Sequence, residues 1–146
     1  MYESYTRQAL PEREYRELLG SALCVFNSNN AFIIENILKN DPTGIKSWFD
    51  LVDKESGNLK SDIRETITAN YGDEVERQFE EIVDKRNRIV HSYQITDKDN
   101  RQKLATKERK GSHQFVITEE YLLEFIADNQ KLSDILYSVR RNDNKT

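Results

Sequence analysis

"PEREYRELLGSALCVFNSNNAFIIENILK", residues 11–39, decides the fold class. Pro11 suits a helix start, where no backbone N–H is needed. Apolar residues then recur at Tyr15, Leu18, Leu19, Ala22, Leu23, Phe26, Ile33, Ile34, Ile37 and Leu38. That spacing marks one face of an α-helix. The phase persists across "NSNN", residues 27–30. It predicts one long helix, about 11–39, with Asn29 or Asn30 turned inward. The alternative is two helices broken at the asparagines. Cys24 is the one cysteine and lies among apolar residues in "ALCVF", so it is expected to be inert packing.

Working outward, "NDPTG" (40–44) is a stop signal. "IKSWFDLVDK" predicts a short helix with Ile45, Trp48, Phe49 and Val52 inward, ended by "ESGN". "LKSDIRETITANYG" predicts a third helix closed by Gly72. A fourth begins at Asp73, a fair N-cap, with Val75, Phe79, Ile82, Val83, Ile89, Val90 and Tyr93 on its stripe. Residues 94–117 change character. Polar and β-branched residues flank "KGSH", which predicts a charged hairpin with strands near 102–108 and 112–117. Thr118 caps a last helix bearing Leu122, Leu123, Ile126, Leu132, Ile135, Leu136 and Val139, and 142–146 is expected to fray. The expected fold is all-α: a bundle of four to five helices, one domain over 1–146, with a hairpin before the final helix.

The chain has 146 residues, 33% of them charged, and a net charge of −4. A chain of this length can build a core without staples. With one cysteine it has no intrachain disulfide, which fits a reducing cytosol. The N-terminus carries no apolar signal segment and no run approaches a membrane span, so a cytoplasmic protein is expected. The acidic balance argues against a general nucleic-acid binder, so such a role needs a local basic patch. No Cys/His cluster or paired-carboxylate spacing marks a metal site, and no glycine-rich loop marks a nucleotide cradle. No cofactor is expected.

"RNRIVHSY", residues 86–93, breaks the pattern. At about 100° per residue, every stripe residue of the fourth helix lies within about 60° of Arg86. An unpaired charge facing a dry core would cost several kcal/mol. Arg86 therefore pairs with a buried carboxylate, or snorkels to water, or faces a cleft or a partner chain that needs a cation. An arginine with a histidine five residues on arises by composition about 0.15 times in this chain. Asn87 directly after the arginine and Tyr93 two residues past the histidine sharpen the pattern well over tenfold.

"RNRIVH" resembles the R-N-x-x-x-H motif of the HEPN superfamily. "RNRIVHSY" is similar to the R-x4-H-x-Y form of HEPN toxins paired with minimal nucleotidyltransferase antitoxins. The motif match covers eight residues; beyond it the likeness is one of length and helical order. The charged hairpin departs from the minimal bundle. The resemblance implies a metal-independent endoribonuclease, a toxin or antiphage effector, with Arg86 and His91 catalytic. It also implies a homodimer whose two motifs share a cleft. A cognate antitoxin is implied as partner, with Tyr93 as the residue it modifies.

The residue types fit that chemistry. Metal-free RNA cleavage takes a proton from the 2′-hydroxyl, gives one to the 5′-oxygen and stabilises a charged phosphorane. Histidine, with an ordinary pKa of about 6.5, suits the proton transfers. Arginine's planar fork suits the phosphate. Asn87 can orient either group, and Tyr93 can donate a hydrogen bond or stack on a base. In one straight helix Arg86 and His91 diverge by about 140°, so the helix ends near His91 or two chains cooperate. From Lys98 to Lys110 six basic residues face two acidic ones, a net of +4 that leaves −8 for the rest. Lys103, Lys107, Arg109 and Lys110 in that window, with Arg88, are the expected RNA contacts. A solvated, edge-protecting hairpin explains the same lysines equally well. His113 reads as a surface residue and Trp48 as core. Two other functions compete: a non-catalytic HEPN-like module that binds nucleotide or RNA or scaffolds a partner, and a helical interaction protein with Arg86 as a satisfied core ion.

Overall fold

The computed structural model describes residues 1–145. The first helix, α1 (Arg13–Lys39), is continuous through the asparagines. At 1.5 Å per residue it is about 40 Å long. Asn29 is buried and donates to the Asn129 carbonyl at 2.7 Å and to its Oδ1 at 3.1 Å. A buried amide is tolerated because it is paired. Asn40 closes the helix, its backbone N–H and side-chain amide both donating to Asn36 O. Cys24 is exposed, contrary to the packing role expected of it. It lies about 200° around the helix from Ala22 and from Phe26, both buried.

The short helix α2 (Trp48–Val52) corrects a second expectation. Leu51 faces the core with Trp48 partly buried, while Ile45, Phe49 and Val52 are 80%, 79% and 45% exposed. Ile45 precedes the helix, so a helical phase counted from it points the wrong way. "ESGN" does not end an element either. Ser56–Leu59 is a 3-10 turn that runs through α3 (Lys60–Ile63), a π-helical stretch (Arg64–Thr68) and α4 (Ala69–Tyr71). Gly72, at φ +90°, ends this run in a conformation glycine adopts freely.

The next helix, α5 (Glu74–Val90), buries Val75, Phe79, Ile82, Val83 and Ile89. Asp73 precedes it without a side-chain capping bond and pairs with Arg77 at 3.2 Å instead. The chain then enters a three-stranded antiparallel sheet, β1 (Tyr93–Thr96), β2 (Gln102–Lys107) and β3 (Gln114–Ile117), in sequential order. The expected hairpin is β2–β3; the fold is mostly helical as expected, but a further strand, β1, extends the hairpin into a small sheet. Tyr93 belongs to β1, paired with Ala105, and not to the α5 stripe. Val90 is 49% exposed and leaves the stripe as well.

Thr118 caps α6 (Glu119–Asp143) by accepting from the Tyr121 N–H at 3.0 Å. Leu123, expected inward, is 52% exposed; Phe125 and Asn129 take the buried positions beside Leu122. The end of α6 is pinned where fraying was expected. Asn40 donates to Asp143 at 2.9 Å, Lys39 to Asn144 at 2.6 Å, and Tyr71 donates to Asp143. Thr146, the last residue of that expected tail, lies outside the described residues.

The core joins α1, α5 and α6. Phe26 stacks with Phe79 and Phe125, each at 6.3 Å between ring centroids. Truncating such a ring to alanine typically costs about 3–5 kcal/mol. The sheet hangs on α1 through Tyr15, whose buried hydroxyl donates to Ile117 O at 2.6 Å and accepts from the Leu104 N–H at 3.3 Å. Lys85 ties α5 to α6 by an ion pair with Asp128 at 2.7 Å.

Candidate active site

The last turn of α5 carries the motif, and the fold splits it. Arg86 points toward α1. Its guanidinium carbon lies 5.1 Å from the centre of the Phe26 ring, a cation–π contact. Its Nε is sealed from solvent without a hydrogen-bond partner, and no carboxylate pairs with it among the described residues. Burial pushes its pKa down from the ordinary arginine value, with Glu55 opposing that from a distance. It remains a cation at physiological pH. The buried-carboxylate explanation of Arg86 therefore fails. What stands is a half-buried cation whose charge nothing in contact neutralises.

His91 is exposed and forms the C-cap of α5, its backbone N–H donating to Asn87 O at 2.9 Å. The helix thus ends at Val90, and a straight-helix wheel no longer governs where His91 points. Ser92 closes the turn, its hydroxyl donating to Ile89 O at 2.6 Å. Tyr93 is 42% exposed on β1, and its hydroxyl donates to Gln114 Oε1 at 2.6 Å.

Asn87 does not share the side that Arg86 takes. It lines a cleft of about 310 Å³ between the Ser56–Ile63 run and α5. Arg88 and Arg109 stand in the same lining. Arg88 donates to Lys107 O at 2.9 Å, which fastens β2 to α5, and its Nε is sealed and unpartnered. Arg109 stands 3.8 Å from Asp84.

The other expected RNA contacts are dispersed. Lys107 folds onto its own loop, donating to Glu108 O and Gly111 O. Lys103 lies over the Tyr15 ring at 4.9 Å. Lys110 is exposed in the β2–β3 turn, as is His113 just before β3. Arg88 and Arg109 thus stand beside Asn87, while the Lys107 ammonium turns onto its own loop and Lys103 sits toward α1. Sequence reasoning missed the Phe26 ring against Arg86 and the electrostatic pull of Glu55, since both come from distant segments. It also passed over Gly57, read only as part of a turn, which forms one wall of the cleft.

The last turn of α5 and the start of β1 thus carry a half-buried guanidinium on the α1 side, a solvent-facing imidazole and a phenol. A guanidinium can grip a phosphate and an imidazole can exchange protons. Comparison with protein-family models, curated proteins and solved structures finds no match to the chain.

Proposed function

We propose that this protein is a metal-independent endoribonuclease of HEPN type that works as a homodimer, as a toxin or antiphage effector. One observation carries the reading: Arg86 keeps a partly desolvated guanidinium, its Nε sealed, with no carboxylate against it. Its charge is met only by the Phe26 ring, and a partly buried charge without an anion is costly to keep. A phosphate diester supplies the missing anion, and the fork of donors stabilises the phosphorane as charge builds up.

His91 takes the proton from the 2′-hydroxyl, whose oxygen attacks phosphorus. The bond from phosphorus to the 5′-oxygen breaks, and that oxygen receives a proton from the partner's His91. The products are a 2′,3′-cyclic phosphate and a 5′-hydroxyl. Val90, half exposed beside His91, gives the two-fold contact an apolar footing. An antitoxin of nucleotidyltransferase type would act at Tyr93, and a nucleotidyl group there breaks its hydrogen bond to Gln114 and adds bulk beside His91.

The test is cleavage of a mixed RNA pool in EDTA by the wild type and by His91→Ala, with folding checked by circular dichroism. Cutting by the wild type alone, with cyclic-phosphate ends, is expected. Tight RNA binding without cutting would move the assignment to a non-catalytic module.

A further inference from the structure

The cleft beside α5 holds chemistry that Arg86 and His91 do not use. Its volume, about 310 Å³, is at the small end for ligand pockets. Ile63, Phe79 and Val83 give it apolar walls. Its carboxylates are already answered: Lys60 donates to Glu80 at 2.8 Å, and Arg64 to Glu76 at 3.0 Å. Arg109 faces Asp84. One side chain in the lining stays unanswered. The Asn87 amide makes no hydrogen bond among the described residues, and Arg88, held through Nη1 on Lys107 O, stands beside it in the lining.

Charge argues against a compact anion in this cleft. Lys60, Arg88 and Arg109 in its lining balance Glu76, Glu80 and Asp84. A neutral planar ring with a hydrogen-bonding edge fits better. An asparagine amide offers a donor and an acceptor side by side, the complement of adenine's edge; a guanidinium complements guanine's. Guanidinium planes also stack on unpaired bases.

We propose that the cleft binds one purine base of the RNA strand whose phosphate Arg86 holds. This rests on the nuclease reading of Arg86. Consecutive residues, Arg86 and Asn87, then grip the phosphate and a base from two sides of one helix, and the cleft sets which residue lies beside the cut.

Gly57 supplies the means to test it. A Cβ built there meets only the Val83 Cγ1, at 4.0 Å, so alanine fits and a longer side chain fills the cleft. AMP, GMP, CMP and UMP are titrated calorimetrically into wild type, Gly57→Ala and Gly57→Leu. The cut ends each protein leaves in an RNA pool are sequenced. At least one purine nucleotide is expected to bind about tenfold more tightly than either pyrimidine. Gly57→Leu loses that binding about tenfold, and Gly57→Ala keeps it. The RNA ends that Gly57→Leu leaves show no purine preference beside the cut. Amide shifts at Gly57, Asn87 and Arg88 on adding AMP or GMP to the wild type test the same contact if Gly57→Leu does not fold. Equal binding of all four nucleotides, no binding, or shifts confined elsewhere would overturn the proposal. Purine binding that Gly57→Leu abolishes, in a protein that never cuts RNA, supports the subsite and overturns the nuclease reading. Cutting with the same sequence profile in wild type and Gly57→Leu overturns the subsite and leaves the nuclease standing.

Discussion

Arg86 is a cation on an apolar stripe, and its surroundings forecast an unusual mutational response. With no carboxylate to orphan, Arg86→Met removes a desolvated charge and a cation–π contact together, two opposed effects. Its stability in urea is expected to stay within about 1 kcal/mol of wild type, while RNA cleavage falls about 100-fold or more. A stability loss of about 3–5 kcal/mol, that of breaking a buried pair, would make Arg86 architectural. The place of Arg86 on the stripe was legible from spacing alone. That it rests on Phe26, from a helix far earlier in the chain, was not, because a helical wheel describes only one helix.

Glu3 gives a pH prediction at the same scale. Hydrogen bonds from Arg13 and Arg16 hold its carboxyl down from 4.5 to about 2. A depressed folded pKa stabilises above the unfolded value and is lost as pH falls through the folded one. The clamp of residues 1–10 onto α1 is therefore full at neutral pH and released by about pH 2. The acid-unfolding curves of wild type and Glu3→Gln should differ at neutral pH and converge there. A constant offset down to that pH would dismiss the clamp.

Among the elements, the two longest helices are locked by amides rather than by apolar contact alone. Asn29→Ala leaves Asn129 Oδ1 buried without that donor, and is expected to cost about 1–3 kcal/mol in urea unfolding. A neutral result would mean that water replaces the donor. That an asparagine of "NSNN" turns inward followed from phase; its partner, on α6, did not. Long elements were legible because many turns average out local noise: α1, α5 and α6 were each recognisable. α2 was misread because five residues hold barely more than one turn, and Ile45 outside it set a false phase. β1 was missed because "YQIT" is too short for alternation to speak, and Tyr93 also fits the preceding helical stripe.

For the molecule as a whole, the proposed chemistry needs two copies. Wild-type protein should run as a dimer by light scattering at micromolar concentration. Val90→Asp puts a charge on the half-exposed position beside His91 and should yield monomers that no longer cut RNA. Monomeric wild type with full activity would refute the shared site. Among the described residues no helix is long and apolar enough to cross a membrane.

The pairing of Asn29 with Asn129 joins positions 100 residues apart, and α6 is the helix α1 packs along most extensively. During synthesis at about 5–20 residues per second, the first helix waits roughly 5–20 s for its principal partner. Through that interval its apolar stripe has no α6 to cover it. A ribosome stalled before residue 119 should hold a protease-sensitive nascent chain, and one released past Asp143 a resistant one. The core thus assembles late, once α6 emerges.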